Sequence, residues 1–245
     1  MRQVRFHHPN SDRPEVGTLR GEVIVAQGKE CSLDQVRLLA PCTPTKIICL
    51  GRNYAEHAKE LGNEVPERPL FFFKPPSAVI GPGEEIVLPR SSRVDHEAEL
   101  AVVIGRRCRN VRAKDAMDVI LGYTCMNDVS NREAQGWEQN WVRAKGFDTS
   151  APLGPVIVTT DEIEGPFHVM LRLNGEVKQD GSTRDLIFSI PKIIEEISSF
   201  MTLEPGDVIA TGTPAGVGPL SFGDEVEVEI EGIGTLRNHV RQGDN

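Results

Sequence analysis

Two glutamates stand two positions apart at the start of a strongly apolar stretch of the sequence. Glu97 and Glu99 belong to the segment DHEAELAVVI, residues 95–104, whose second half is entirely apolar. We predict a strand over residues 97–104, and residues two apart in a strand point to the same face. Two carboxylates held together beside a core repel each other, so one must take up a proton or a cation must lie between them. Oxygen ligands of this kind suit Mg²⁺, Mn²⁺ or Ca²⁺, whereas a solvated strand edge is the competing interpretation.

Three further residues carry acid–base or ligand chemistry. Asp128 follows the largely apolar segment 123–126, and a carboxylate after a buried strand is a common ligand, although aspartate also caps turns. His57 and Glu60 are three residues apart in a predicted short helix over residues 53–61, and therefore share one face of that helix. A histidine held by a carboxylate can act as a general base for water or for a carbon acid. On spacing alone, an exposed helical pair is the simpler interpretation.

Two weaker signals come from residues near glycine. Lys145 precedes Gly146 in a predicted loop, where a lone lysine is usually a surface residue. The glycine-rich segment GTPAGVG, residues 212–218, follows a predicted strand but lacks the lysine and the helix of a P-loop. Its backbone N–H groups could nevertheless hold a carboxylate. Neither feature predicts a site without its neighbours.

The elements that must position these side chains are mostly short strands. Strands are predicted over residues 4–6, 23–26, 46–51, 70–73, 122–128, 156–158, 208–211 and 225–231, and helices over 53–61, 114–120 and 189–201. Asn53 is the predicted cap of the first helix, and Asn174-Gly175 predicts a type I′ hairpin turn. Many short strands, few helices, 23 glycines and 17 prolines predict a mainly β, α+β fold with a sandwich or rolled sheet.

Composition excludes several classes of protein. A formal net charge of −9 argues against a nucleic-acid binder, without excluding a local basic pocket for an anionic substrate. The five cysteines are irregularly spaced and include no C-x-x-C pair, which argues against a disulfide framework or a zinc site. No apolar run approaches the roughly 20 residues of a membrane span, and no signal-peptide pattern is evident. We expect a cytoplasmic protein with neither a membrane nor a nucleic-acid partner.

The order and combination of these motifs resemble the fumarylacetoacetate hydrolase family. The resemblance rests on GRNYAEH (51–57), FFKP (72–75), HEAEL (96–100), NDVSNR (127–132) with Gln135, AKGF (144–147) and GTPAGVG (212–218). It covers roughly residues 46–240 and implies a mixed β-sandwich roll, usually as a homodimer. The division that it implies is a small β-rich leader domain over residues 1–45 and a catalytic domain over residues 46–245.

The resemblance also implies roles for individual residues. Glu97, Glu99 and Asp128 would hold Mg²⁺ or Mn²⁺, and Ca²⁺ could replace these ions in crystals. His57 and Glu60 would form the acid–base dyad on a segment that orders over bound substrate. The remaining implied residues are Lys145, which would stabilise a developing oxyanion, and the candidate substrate contacts Arg52, Tyr54, Lys74, Arg132, Gln135 and Thr213.

One departure from the family pattern narrows the resemblance. The larger fumarylacetoacetases carry an additional carboxylate ligand upstream of the histidine, whereas residues 47–51 contain no carboxylate. The site therefore resembles that of the smaller relatives: acylpyruvases, enzymes acting on oxaloacetate, and isomerases or decarboxylases of dioic acids from aromatic catabolism.

Two kinds of reaction on 2-oxo acids are compatible with these residues. The first expectation is metal-dependent hydrolytic C–C cleavage of acylpyruvate-type, fumarylpyruvate-like substrates, in which the dyad activates water. The alternative is isomerisation, decarboxylation or tautomerisation of 2-hydroxyhepta-2,4-diene-1,7-dioate or oxaloacetate-type acids, in which the same base only moves a proton. A binding protein that retained the fold without activity is a third interpretation, and the intact set of carboxylates, histidine and lysine argues against it.

Overall fold

A computed structural model describes residues 1–9, 11, 13–60, 62 and 64–243. Strands dominate it: β1 (Arg2–His7), β2 (Glu15–Arg20), β3 (Val23–Ala26), β4 (Lys29–Ser32), β5 (Arg37–Leu39), β6 (Ile47–Gly51), β7 (Leu70–Lys74), β8 (Val79–Ile80), β9 (Glu85–Leu88), β10 (Val94–His96), β11 (Ala98–Ile104), β12 (Ile120–Asn127), β13 (Ser130–Asn131), β14 (Ala151–Thr159), β15 (His168–Leu173), β16 (Glu176–Ser182), β17 (Val208–Ala210), β18 (Gly218–Pro219), β19 (Glu225–Ile230) and β20 (Gly234–Gln242).

The helices are few and short. They are α1 (Ala55–Glu60), α2 (Arg132–Trp137), α3 (Val142–Lys145) and α4 (Ile190–Phe200), with 3₁₀ turns at Leu33–Gln35, Pro76–Ala78, Ala113–Val119 and Thr183–Asp185. The predicted mainly β fold with few helices is confirmed. Within the described ranges, no helix is both long enough and apolar enough to cross a bilayer.

The described strands form three sheets of mixed pairing. The largest runs in the order β4-β3-β2-β1-β14-β12-β11-β17-β6-β7, with β5 on β1 and β8 on β14. A second sheet has the order β16-β15-β19-β20-β9, and a third, small one has the order β13-β10-β18. Most pairs are antiparallel, but β6 runs parallel to β17, β8 to β14 and β9 to β20.

The strands of the predicted leader continue the large sheet. Strand β1 pairs with β14, with Arg2 opposite Val158, and β2 to β4 extend the sheet outward from β1. This pairing supplies hydrogen-bond partners to a strand edge that would otherwise stay open. The boundary between residues 45 and 46 remains a prediction.

Strands β11 and β12 lie in the buried centre of the large sheet. Every residue of β11 is buried, with Leu100 and Val102 in one apolar cluster and Ala101 and Val103 in another. A strand that is apolar on both faces must lie between two packed layers. Polar side chains at its ends are therefore carried into the interior of the protein.

The predicted strand over residues 97–104 is interrupted at its first residue. Strand β10 ends at His96 and pairs with β13 and β18, whereas β11 begins at Ala98 and pairs with β12 and β17. Glu97 thus lies where the chain passes from the small sheet to the large one. Its backbone N–H donates to the side-chain oxygen of Asn127 at 3.0 Å, which replaces the missing ladder bond.

The other local predictions have mixed outcomes. Asn174 and Gly175 both have positive φ, 52° and 81°, as a type I′ turn requires. The segment predicted as a helix over residues 114–120 is a 3₁₀ helix, a form common in short connectors. Asn53 does not cap α1. Its side-chain nitrogen donates to the carbonyl oxygens of Phe188 and Thr211, and its side-chain oxygen accepts from the N–H of Phe188. The predicted end of α1, Leu61, lies outside the described residues.

Candidate active site

The junction between β10 and β11 brings the three predicted carboxylates together. Glu97 occupies the junction and Glu99 is the second residue of β11, while Asp128 directly follows β12. The two strands are antiparallel neighbours, and the N–H of Asp128 donates to the carbonyl oxygen of Glu97 at 2.8 Å. One oxygen of each carboxylate lies within 4.8 Å of the other two, and all three residues are buried.

The carboxylates of this cluster differ sharply in their surroundings. Burial opposes the ionised form of Glu97, but the charges of Lys145 and Arg132 hold its pKa well below the usual range. Burial, and then the negative charges of Asp128 and Glu97, raise the pKa of Glu99 well above its ordinary value. Glu99 accepts a hydrogen bond from the N–H of Gly212 at 2.7 Å, and no lysine or arginine of the described residues forms an ion pair with it. Glu99 is therefore the carboxylate of this cluster that no cationic side chain of the described residues offsets.

A hard divalent cation fits this donor set. The three groups offer only oxygen atoms, lie close enough to share one ion, and include one carboxylate that lacks a cationic partner. Oxygen-only sets of this kind favour Mg²⁺, Mn²⁺ or Ca²⁺ over zinc.

Lys145, the last residue of α3, lies inside this cluster. Its Nζ is 2.8 Å from Glu97 Oε2 and 2.8 Å from Asp128 Oδ2, and it donates to Ser130 Oγ at 2.5 Å. It also lies 4.8 Å from the centre of the Phe72 ring. Burial favours the neutral amine, but the charges of Asp128 and Glu97 raise the pKa of Lys145 above its ordinary value. The ammonium thus offsets part of the negative charge. A lone lysine in a loop is usually exposed, whereas Lys145 is buried.

Arg132 closes a second side of the site. It is the first residue of α2, whose N-terminus is capped by Asn131. Its guanidinium contacts Asp95 at 2.8 Å, Glu97 at 2.5 Å and Gln135 Oε1 at 2.8 Å. Three acceptors fix the planar guanidinium, so the arginine has a defined orientation beside the carboxylates.

The predicted dyad lies on α1 above the same cavity. His57 Nδ1 is 3.3 Å from Glu60 Oε2, and His57 is buried. Glu60 also accepts a hydrogen bond from the N–H of Gly216 at 3.0 Å. The carboxylate therefore orients the imidazole and anchors α1 to the glycine-rich loop.

The glycine-rich loop, residues 212–218, connects several parts of the site through its backbone. Its N–H groups bind the carboxylates of Glu99 and Glu60. Gly216 has a φ of 98°, and a Cβ atom there would lie 2.0 Å from the carbonyl oxygen of Lys178. Only glycine fits this approach to β16. The loop binds carboxylates with backbone N–H groups, one of the roles that its sequence left open.

These elements enclose a cavity of about 270 Å³. The predicted site residues that line it are Arg52, His57, Glu97, Glu99, Arg132, Gln135, Lys145 and Thr213, and its apolar wall includes Leu50, Phe72 and Trp141. Arg52 and Trp141 both have positive φ, 61° and 55°. Strained conformations of this kind are often found at ligand sites. The acidic chain thus contains a pocket lined by the cationic side chains of Arg52, Arg132 and Lys145.

Two of the predicted substrate contacts do not reach this cavity. Lys74 is 1% exposed, because alternation along β7 turns it inward while Phe73 points outward. Tyr54 is 3% exposed, and its hydroxyl has no hydrogen-bond partner among the described residues. In this geometry, neither side chain is positioned to contact a ligand in the cavity.

Sequence reasoning missed three residues that support the site. Asp95 holds Arg132, and its two-residue spacing from Glu97 was a signal that could have found it. Ser130 accepts a hydrogen bond from Lys145. Gln179, from the distant strand β16, is fully buried: its oxygen accepts from the N–H of Ala98 at 2.9 Å, and its nitrogen donates to Thr213 Oγ1 at 2.7 Å. Nothing in the local sequence marks Gln179.

Comparison with known sequences gives a consistent set of relatives. Residues 46–241 match the family model described as fumarylacetoacetate (FAA) hydrolase C-terminal. An uncharacterised protein of Pyrococcus abyssi is 56% identical over 80% of this chain and 90% of that protein. The oxaloacetate tautomerase YisK of Bacillus subtilis is 44% identical over 85% of this chain and 74% of that protein. The mitochondrial oxaloacetate tautomerase FAHD2A of Homo sapiens is 44% identical over 84% of this chain and 70% of that protein.

Solved structures resemble the whole chain. A 5-carboxymethyl-2-hydroxymuconate delta-isomerase from Mycobacterium smegmatis has a TM-score of 0.92 at 45% identity, with 100% of each chain covered. A 2-hydroxyhepta-2,4-diene-1,7-dioate isomerase from Mycobacterium marinum has a TM-score of 0.90 at 41% identity, again over 100% of each chain. A maleylpyruvate hydrolase from Sphingobium sp. SYK-6, in complex with manganese (II) ion and pyruvate, has a TM-score of 0.85 at 33% identity over 100% of each chain.

Proposed function

Because the chain belongs to the fumarylacetoacetate hydrolase family, we propose that it is a metal-dependent enzyme that interconverts the keto and enol forms of a small 2-oxo dicarboxylic acid of the oxaloacetate type. The observation that carries this proposal is a cluster of three buried carboxylates, two of which line a cavity of about 270 Å³ together with two arginines, a lysine and a histidine. Ligand pockets commonly measure about 300–1,000 Å³, so this volume favours a small acid over a long acylpyruvate.

Glu97, Glu99 and Asp128 would hold the metal ion, Mg²⁺ or Mn²⁺, through their carboxylate oxygens. When bound, the ion would stabilise the negative charge that develops on the 2-oxo oxygen of the substrate. The manganese and pyruvate bound to the similar maleylpyruvate hydrolase support a cation and a 2-oxo acid in a site of this kind.

The proton-moving group in this proposal is His57. Glu60 binds Nδ1 of the imidazole, so Nε2 is the atom available to a ligand in the cavity. Nε2 would take the proton from carbon 3 of the substrate, next to the 2-oxo group, and a proton would return to the 2-oxo oxygen to complete the enol. The Lys145 ammonium would offset negative charge on that oxygen during the transfer.

Arg52 is the residue that we assign to the second carboxylate of the substrate. Arg132 is already held by Asp95, Glu97 and Gln135, whereas the Arg52 guanidinium forms no hydrogen bond or ion pair with the other described residues. A partially buried guanidinium without an acceptor favours an anionic ligand, because its donors would otherwise be incompletely satisfied.

The relatives favour tautomerisation over the hydrolysis that the sequence placed first. The two oxaloacetate tautomerases are 44% identical to this chain, and the maleylpyruvate hydrolase is 33% identical. Hydrolysis would also require a water molecule and the distal carbonyl group to fit beside the base in the same small cavity. The second candidate function is isomerisation of a hydroxymuconate-type dioic acid, which the solved isomerases at 45% and 41% identity support.

A substrate panel tests the proposed function. Oxaloacetate, a hydroxyheptadienedioate and an acylpyruvate would be followed by the loss or gain of enol absorbance, with Mg²⁺, with Mn²⁺ and with EDTA. We expect the largest metal-dependent acceleration with oxaloacetate. No metal-dependent acceleration with any of the three acids would refute the proposal, and faster acylpyruvate cleavage would restore the hydrolase interpretation. The homodimer and the cytoplasmic location stay predictions, and light scattering tests the dimer.

A further inference from the structure

Lys74 carries an ammonium group that is buried next to the carboxylate cluster but outside the cavity. It is the last residue of β7 and is 1% exposed. Its Nζ donates to the carbonyl oxygens of Lys145 and Ser150, each at 2.7 Å, and of Val129 at 3.1 Å. It also lies 2.8 Å from Asp128 Oδ1. A buried ammonium is tolerated when it is fully paired, and these four oxygens satisfy that condition.

The oxygens around Lys74 come from separate parts of the chain. Asp128 and Val129 follow β12, Lys145 ends α3, and Ser150 directly precedes β14. The two oxygens of Asp128 are divided between two lysines, because Oδ1 faces Lys74 and Oδ2 lies 2.8 Å from Lys145 Nζ. One ammonium therefore fixes the rotation of a carboxylate and the backbone of a neighbouring cationic residue.

We propose that Lys74 is a positioning residue of the active site, which holds the Asp128 carboxylate and the Lys145 backbone in the arrangement that binds the metal ion and the substrate. The inference rests on the proposed function. It replaces the substrate contact that the sequence predicted for this residue with a role behind the metal ligands.

Positioning and simple charge make opposite predictions for metal affinity. A positive charge beside Asp128 repels a cation, so removal of the Lys74 charge alone would tighten metal binding. Loss of positioning would weaken binding instead, because partners that orient metal ligands typically contribute about 10–100-fold to affinity. The sign of the change therefore separates the two effects.

The experiment compares Lys74→Met with Lys46→Met. Methionine keeps an unbranched stem in each variant and removes the ammonium. Lys46 also pairs with a buried carboxylate, Asp207, but that pair lies at the opposite end of β11 from Glu99. Mn²⁺ titrations by calorimetry give the dissociation constants of the full-length proteins. We expect binding about 10–100-fold weaker in Lys74→Met, and wild-type affinity in Lys46→Met.

A second variant guards against failure to fold. Lys74→Gln keeps two N–H donors in the same space, and circular dichroism would verify its fold before titration. We expect its Mn²⁺ affinity to lie between those of the wild type and the methionine variant. At saturating Mn²⁺, both variants should lose kcat more than they raise KM, because a shifted Lys145 affects the transfer step more than substrate binding.

The outcomes separate this inference from the proposed function. Wild-type protein that binds no Mn²⁺, or binds it equally well after Glu97→Ala, refutes the proposed function. Wild-type binding that depends on Glu97, together with equal or tighter binding in the folded Lys74 variants, overturns the role of Lys74 and leaves the proposed function standing.

Discussion

Strand β11 has a buried carboxylate site at each end, and the two sites differ in how their charge is satisfied. At the start of the strand, Glu97 and Glu99 meet Asp128. Asp207 lies at the far end of the strand. It directly precedes β17, and Val208, the first residue of β17, pairs with Val103 of β11. Both sites are almost inaccessible to solvent.

Neighbouring residues supply all the hydrogen-bond donors that the buried carboxylate of Asp207 needs. It accepts hydrogen bonds from the N–H and hydroxyl of Thr45, from the N–H of Glu204 and from the N–H and ammonium of Lys46. Burial opposes ionisation, but the hydrogen bonds from Lys46, Thr45 and Glu204 lower the pKa of Asp207. A buried carboxylate with this many donors joins two chain segments, residues 45–46 and residues 204–207, and needs no ligand.

Glu99, at the other end of β11, has almost none of these partners. The pKa of Glu99 is raised by burial and by the charges of Asp128 and Glu97, and a single backbone N–H donates to it among the described residues. Burial of carboxylates is therefore not what distinguishes a functional site. The distinguishing feature is a carboxylate, Glu99, that no cationic side chain of the described residues offsets.

The largest expected effect is the loss of metal binding at one end of β11 only. Glu97→Ala removes one of three oxygen ligands and leaves Arg132 and Lys145 without a shared partner. We expect elemental analysis to find no retained Mn²⁺, and turnover to fall to background. Asp207→Ala is the matched control and should retain the metal. Equal metal content in the two variants would abolish the contrast between the sites.

The next effect separates proton transfer from metal binding. His57→Ala removes the base but none of the three carboxylates, so Mn²⁺ affinity should persist. Turnover should fall by about 10²–10⁴-fold, the usual contribution of a general base. Steady-state assays at saturating Mn²⁺ measure this change. Near-normal turnover in the variant would remove His57 from the mechanism.

Short-range patterns in the sequence predicted which candidate residues lie close together, whereas the family resemblance supplied their proposed roles. Glu97 and Glu99 share one segment, and His57 and Glu60 share one helix, so their proximity follows from local geometry. The mainly β fold followed from the same kind of evidence. The interruption at Glu97 was not predicted, because it depends on which sheets the flanking residues join.

The sequence did not show which way a side chain faces or what surrounds it. The motif around Lys74 predicted a substrate contact, but the alternation of β7 turns this lysine inward, towards carbonyl groups that come from three other segments. A lone Lys145 in a loop would ordinarily be exposed, and carboxylates from two other segments keep it buried. Gln179 reaches the site from another sheet. Long-range contacts of this kind leave no local pattern.

A third experiment measures what the satisfied carboxylate contributes to stability. Asp207→Ala leaves Lys46 and the N–H groups of Thr45 and Glu204 without their acceptor. We expect the free energy of unfolding to fall by about 3 kcal/mol, because one partner of a buried ion pair is lost. Urea titrations of the metal-free proteins measure it. A change below that of an ordinary surface substitution would show that Asp207 is not a structural anchor.

The same residue gives a pH dependence with a defined sign. The folded-state pKa of Asp207 lies below its ordinary value of 3.8. The stabilisation that the ionised Asp207 carboxylate contributes is therefore fully present above its unfolded-state pKa. It is lost as the pH falls through its folded-state pKa. The difference in unfolding free energy between wild type and Asp207→Asn should shrink as the pH falls below about 4. A difference that grows on acidification would contradict the assignment.

The smallest predicted effect concerns a neutral group that joins the cluster to the cavity wall. Gln179→Leu keeps the volume of a residue that binds Thr213 and the N–H of Ala98, the residue between the two glutamates. If Gln179 acts by orienting the threonine hydroxyl, kcat/KM should fall by about tenfold, the size of one or two buried hydrogen bonds. Thr213→Val alone should then lower kcat/KM by about the same factor. The double variant should lower kcat/KM no further than either single variant, because the effects of coupled residues are not additive. Additive losses would place Gln179 with Asp207, as a residue that stabilises the fold without contributing to the site.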